Sequence, residues 1–370
     1  MTTVSRLPPK GLQDNVPLAL LTTLELGGPA RHVVKVDREA TVADSLRWGR
    51  DLGLPVAVLG GGSNVVVADR GVDALVLRIG LRGVTVETAG DTVLVTAAAG
   101  EPWDELVERC VDEGWAGVEC LSGIPGTAGA TPIQNVGAYG QDLSQTIERV
   151  RVLDRRTIEA TALSPADLGF GYRSSALREQ PDRYVVLAVS FRLRVAGAAT
   201  VAYPELERAL AAGRQPPTLA AVREAVLELR RGKSMVIEAG DPNRRSAGSF
   251  FVNPVLSRAE LGSLRERVVA AGISEEVPSF AAGDDRCKVP AAWLIERAGF
   301  SRGHVSGRVG ISSRHTLALV NLGGGSAAEL VALARRIRSR VDELFGVRLR
   351  SEPVFLGFPE GDPLGGDAVT

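Results

Sequence analysis

SGIPGTAGATPIQNVGAYG, residues 122–140, sets Gly123, Gly126, Gly129, Gly137 and Gly140 at spacings that fit neither a helix nor a strand. Glycine permits positive φ and close approach of backbone amides to a ligand, while Pro125 and Pro132 stiffen the path. The run by itself leaves two readings open. It is a solvated irregular loop, or it is backbone laid flush against something flat and charged.

Toward the N-terminus, Gly60, Gly61, Gly62, Ser63 and Asn64 follow an apolar strand at 55–59 and precede the strand-like Val65–Val67. Successive glycine amides, joined by the Ser63 and Asn64 side-chain donors, suit an anionic pyrophosphate. The pattern is not GxGxxG, and the β-branched valines leave no room for a long helix after it. A Rossmann nucleotide site is therefore rejected, and some other nucleotide-binding scaffold is implied.

The chain has 370 residues, enough for two or three domains with cores of their own. A net charge of −1 with intermixed signs argues against a nucleic-acid or membrane-surface protein and for a small-molecule partner. Cys110, Cys120 and Cys287 are odd in number and lack CxxC spacing, so neither a disulfide framework nor a zinc site is supported. No metal is expected, and a reducing cytoplasm fits best. The apolar run 16–26 faintly resembles a signal peptide, but it is short and contains two threonines and Glu25. No stretch reaches the apolar length of a membrane span. A monomer is expected.

The pattern of elements is α+β. Strands at 31–36 and 55–59 flank a helix at 41–52, with Leu46 and Trp48 inward, as a small βαβ unit. Strands follow at 74–77, 84–87 and 92–96, then a helix at 102–113 that buries Trp103, Leu106, Val107 and Cys110. Further strands are read at 147–153 and 184–194, and linker-like stretches at 196–199 and 213–217. A helix at 218–231 opens a C-terminal domain. Two more begin with the capping boxes Ser257/Glu260 and Ser326/Glu329, and the last ends at Gly346. The expected domains are 1–67, 68–215 and 216–357, with a disordered tail at 358–370.

Three more segments complete an ordered set with the two glycine loops: Gly171-Tyr172-Arg173-Ser174-Ser175, AGSFFVNP at 247–254, and Ser351-Glu352-Pro353. In this order and spacing the chain resembles the MurB family, the UDP-N-acetylenolpyruvoylglucosamine reductases, over nearly its whole length. The resemblance implies an N-terminal FAD-binding domain of the PCMH or vanillyl-alcohol-oxidase type, built of a βαβ subdomain and a mixed-sheet subdomain. A C-terminal α+β substrate-binding domain would follow. It also implies non-covalent FAD, in keeping with His32, His304 and His315 all lying outside the two loops, and NADPH as hydride donor. The implied reaction reduces the enolpyruvyl ether of UDP-N-acetylglucosamine to UDP-N-acetylmuramate for peptidoglycan.

By the same resemblance Gly60, Gly61, Gly62, Ser63 and Asn64 form the pyrophosphate loop. Ser122, Gly123, Ile124, Pro125, Gly126, Gly129 and Ala130 line the flavin, followed by Gln134, Asn135, Gly137, Ala138 and Tyr139. Hydride arriving at the vinyl carbon leaves negative charge that spreads into the carboxylate, so cations and donors aimed there are what the site needs. Arg173 matches the carboxylate clamp, where a planar fork suits two oxygens. Glu352 matches a second contributor there, acting in its acid form, and Ser249 matches the proton donor. Lys233 matches a ligand of the diphosphate and the nicotinamide cofactor. Tyr203 matches the lid tyrosine of a lidded subclass, and the resemblance implies Tyr172 and Asn253 as further substrate contacts. Singly, each residue also has an ordinary reading: a surface ion pair for Arg173, a solvated carboxylate for Glu352, a cap for Ser249, a helix-end cation for Lys233. Two rivals stay open, another flavin enzyme on the same scaffold and a nucleotide-sugar-binding module without catalysis.

Overall fold

Strand and helix periodicities build two units, seen in a computed structural model that describes residues 7–213, 216–283, 285–359 and 361–365. The first unit is drawn from residues 1–16, 30–62 and 73–237, the second from 17–29, 63–72 and 238–370.

In the first unit, helix Glu39–Asp51 connects strand Pro29–Val36 to Val56–Leu59, forming the expected βαβ element. Its sheet runs Gln13–Pro17, Pro29–Val36, Val72–Ile79, Val56–Leu59, the last two strands parallel. A second sheet runs Glu159–Leu163, Ile147–Asp154, Tyr184–Val195, Thr92–Ala98, Val84–Ala89, with antiparallel neighbours throughout. Val93, Val95 and Ala97 are buried and alternate with half-buried neighbours, the period of a sheet that packs one face. Helix Trp103–Asp112 buries Trp103, Leu106, Val107, Cys110 and Val111, a single stripe at helical spacing. Trp103 lies 5.5 Å from Phe191 and donates its indole N–H to Leu121 O at 3.2 Å. The helix therefore fixes the entry to the glycine run.

The second unit holds an antiparallel sheet ordered Ser246–Ser249, Ala318–Asn321, Val309–Ile311, Val305–Ser306, and a smaller one of Val255–Ser257, Arg286–Lys288 and Phe280–Ala281. Both capping boxes form, at Ser257 with Glu260 and at Ser326 with Glu329, and Gly346 ends helix Ala327–Phe345 in the left-handed region.

Three expected boundaries change. Val65–Val67 pairs in parallel with Val354–Leu356, and Val66 buries in the core of the second unit, so the boundary after 67 does not hold. Helix Leu219–Gly232 does not open the C-terminal domain at 216. Its Val222 and Val226 bury with Cys120, Leu206 and Leu210 inside the first unit. The expected disordered tail does not hold at 361–365, where Leu364 buries and Arg335 and Arg338 donate to the carbonyls of Pro363 and Gly365. Residues 360 and 366–370 of that expected tail, and 214–215 of the expected linker, lie outside the described residues.

The apolar run 16–26 has a packing explanation, since Leu18, Leu24 and Leu26 are buried. Among the described residues no helix is long and apolar enough to cross a membrane.

Candidate active site

The two glycine loops touch. A Cβ on Gly61 would sit 2.8 Å from Gly126 Cα, and one on Gly60 would sit 2.9 Å from Thr127 Oγ1. Only bare backbone allows that approach. The long run is also pinned from below: Trp103 N–H donates to Gly126 O, Gly129 N–H donates to Ala99 O, and Asp104 accepts from Gly123 N–H at 2.6 Å. Arg223 grips the same Asp104 carboxylate with both Nη atoms. Burial favours the neutral form of Asp104, but the Arg223 and Gly123 hydrogen bonds outweigh it and hold the carboxyl below its ordinary range.

Several of the candidate cofactor residues also carry hydrogen bonds or packing within the protein. The Ser122 hydroxyl, fully buried, donates to Glu119 O at 2.7 Å. A Cβ on Gly129 would lie 2.4 Å from Ala99 Cβ, so that glycine answers a packing demand of the turn that follows strand Thr92–Ala98. Asn135 donates to Gly171 O and accepts from Ser144 N–H, and Gln134 accepts from Arg178. Ile124 and Ala138 are half-buried against the main core of the first unit.

The segment 171–175 is stitched to this run. Besides the Asn135 bond to Gly171, Ser175 donates to Ile133 O, and Arg173 donates to Asn135 O at 3.4 Å and Gly137 O at 2.7 Å. The Arg173 guanidinium also lies 5.6 Å from the centre of the Tyr172 ring, whose side chain is exposed. Arg173, Asn135, Tyr139 and Ser234 all have positive φ, four of the nine non-glycine residues with such backbone among the described residues. Each costs on the order of 1 kcal/mol or more, so their gathering around one region marks a place where position outweighs strain.

On the same unit Tyr203 is exposed and meets Tyr139 edge-on at 5.6 Å. Lys233, at the end of helix Leu219–Gly232, lies 5.6 Å from the centre of the Tyr139 ring and pairs with Glu205 at 2.5 Å. Burial pushes the Tyr139 hydroxyl up to about 12, with Glu205 and Tyr203 adding to the shift against Arg230.

The second unit gathers the other candidates. Ser246 faces Val320 and Ser249 faces Ala318, so one strand spends three steps against two and bulges at Gly248, whose φ is +72°. The bulge re-aims Ser249. One residue on, Phe250 O accepts Glu352 N–H at 2.9 Å, and Asn64 N–H donates from its side chain to Glu352 O at 3.4 Å. Ser249, Glu352 and Asn64 are thus brought together on one unit, while Arg173 belongs to the other. Asn253 Oδ1 accepts Ala291 N–H at 2.9 Å and serves the start of helix Ala291–Arg297.

Arg230 was not legible in the sequence. It is 7% exposed, its Nη2 donates to Met235 O, and its Nε has no hydrogen-bond partner. A Cβ on Gly123 would lie 3.3 Å from that Nε. Burial lowers its pKa to about 10, which still leaves it charged at neutral pH. A buried cation with an unused donor beside a glycine loop fits an anionic or carbonyl-bearing group such as a flavin nucleotide, and the close Gly61–Gly126 approach fits it also. Only the Arg230-Arg231 doublet before Lys233 could have hinted at this. Among the described residues no cluster could hold a metal ion.

Residues 241–356 match the UDP-N-acetylenolpyruvoylglucosamine reductase C-terminal domain, and residues 30–157 match an FAD binding domain. The UDP-N-acetylenolpyruvoylglucosamine reductase of Streptomyces coelicolor is 48% identical over 355 residues, covering 95% of this chain and 91% of its own. That of Thermobifida fusca is 50% identical over 349 residues, covering 93% and 97%. Among solved structures, the reductase from Thermus caldophilus superposes with a TM-score of 0.63 at 26% identity, over 93% of this chain and 99% of that one.

Proposed function

The chain belongs to the UDP-N-acetylenolpyruvoylglucosamine reductase family, and from that premise we propose how its residues divide the work. It is an FAD enzyme that reduces the enolpyruvyl ether of UDP-N-acetylglucosamine to UDP-N-acetylmuramate with NADPH, in peptidoglycan precursor synthesis. Bound FAD supplies the hydride that NADPH provides.

The loop Gly60 to Asn64 and the run 122–140 hold the cofactor, with Arg230 offering its unused Nε–H. Arg173 clamps the substrate carboxylate. Its guanidinium is already oriented by two carbonyls, so little entropy is lost when it meets two more oxygens. Glu352 in its acid form adds a hydrogen bond to the same developing charge, and Ser249 delivers the proton that completes the lactyl ether. Lys233 meets the diphosphate, and Tyr172 and Asn253 contact the rest of the substrate. Tyr203 is the covering tyrosine of a lidded subclass, a reading supported by its exposure and its edge-on contact with Tyr139. The working form is a monomer in the cytoplasm, and the three free cysteines are in keeping with a reducing compartment.

The observation that carries these roles is the bulged strand end that sets Ser249 one residue from the Phe250–Glu352 backbone bond. Stopped-flow absorbance tests it. Ser249→Ala should leave NADPH bleaching of the flavin near normal and slow its reoxidation by the enolpyruvyl nucleotide by about a hundredfold or more. Equal loss in both half-reactions would remove Ser249 from proton delivery.

A further inference from the structure

Lys233 does not wait for its ligand alone. Its ammonium touches Glu205 Oε2 at 2.5 Å, and the two side chains are 34% and 31% exposed, so a solvent-borne anion can reach the pair. Glu205 sits in the first turn of helix Pro204–Leu210, two residues after Tyr203, and Leu206 and Leu210 anchor that helix in a small core with Val222 and Val226. The helices that carry Glu205 and Lys233 are therefore packed against one another, which sets the two backbone positions within reach of a pair. On its other flank the ammonium faces the Tyr139 ring.

We propose that Glu205 is a displaceable counter-anion at Lys233, whose place the diphosphate of a nucleotide sugar must take. The proposal rests on the reading of Lys233 as a diphosphate ligand. Two negative groups cannot share one ammonium cheaply: each nucleotide that binds breaks the ion pair and brings its own charge close to a carboxylate that has lost its partner. Glu205 thus keeps diphosphate binding weak, which favours exchange of one nucleotide sugar for the next, and it screens Lys233 from weaker anions such as inorganic phosphate.

Calorimetric titration of the FAD-loaded enzyme tests this with UDP as the probe and uridine as the phosphate-free control. Glu205→Gln, nearly isosteric and at a partly exposed position, should tighten UDP roughly three- to tenfold, a modest gain because the pair is partly solvated. Uridine binding should not change. Lys233→Met should weaken UDP, and in the double variant the gain from Glu205→Gln should vanish. If Glu205→Gln weakens UDP or leaves it unchanged while Lys233→Met weakens it, Glu205 merely positions the lysine and the proposal fails, with the lysine assignment intact. If Lys233→Met leaves UDP binding unaltered, the lysine assignment fails and takes the proposal with it.

Discussion

Replacing Gly61 by alanine adds one methyl group to the place where the two glycine loops meet. That methyl would lie 2.8 Å from Gly126 Cα and 3.3 Å from Gly126 C, whereas carbon atoms rest comfortably at about 3.5–4.0 Å. Gly61 does not have a positive φ, so the backbone itself tolerates alanine, and the cost is steric. Relief requires one loop to move by roughly 0.7–1.2 Å against a run that Trp103, Ala99 and Asp104 hold from below. Overpacking of this kind costs about 1–3 kcal/mol, to be divided between stability of the flavin-free protein and affinity for FAD. At 1.4 kcal/mol per tenfold, the whole cost placed on FAD would weaken it by roughly 5- to 150-fold. Titration of flavin-free protein by quenching of FAD fluorescence, beside its thermal unfolding, measures both shares. Gly232→Ala is the control: nothing lies within 4 Å of its added Cβ, it is helical, and it should be neutral or stabilising by up to about 1 kcal/mol. If Gly61→Ala binds FAD within twofold of the parent and melts at the same temperature, the cradle argument is wrong.

Arg173→Lys keeps the charge but loses the fork that now spans Asn135 O and Gly137 O, and turnover should fall roughly a hundredfold with NADPH reduction of the flavin spared. Near-normal turnover would exclude Arg173 as the clamp. Glu119 is fully buried and accepts from Gly117 N–H, Thr200 N–H and Gln141 Nε2, so Glu119→Gln turns one acceptor into a donor among donors. Urea unfolding should show a loss of about 1–3 kcal/mol. Asp104 has a folded-state pKa below its ordinary 3.8, so the stability it adds is complete above that value and is lost as pH falls through the lower one. The stability gap between parent and Asp104→Asn should therefore be open at neutral pH and shrink as the pH falls below 3.8, and a constant gap would contradict the tether.

The elements that could be read from the chain were those whose evidence is local. The valines of Thr92–Ala98 alternate, the buried residues of Trp103–Asp112 recur at helical spacing, and the serine and glutamate of each capping box lie three residues apart. Helix Pro204–Leu210 has only two buried leucines in seven residues, too few to raise a period above its linker-like flanks, so the sequence does not show it. Helix Leu219–Gly232 is legible in the sequence but its domain is not, because an amphipathic stripe says that a face is buried and not what buries it.

By itself the sequence determined the kind of backbone at the two glycine loops and the residue types of the candidate site, since glycine spacing, an arginine and a serine are written in the chain. Tertiary structure alone decided which glycines serve packing and which meet another loop, as Gly129 against Ala99 and Gly61 against Gly126 illustrate. It also decided that Val65–Val67 pairs with Val354–Leu356, that Arg230 is buried with an unused Nε, and that Glu205 holds Lys233. The reason is common to all of them. A side chain's identity is local, but its partner comes from residues brought near only by the closing of long loops, and nothing in the spacing along the chain encodes that distance.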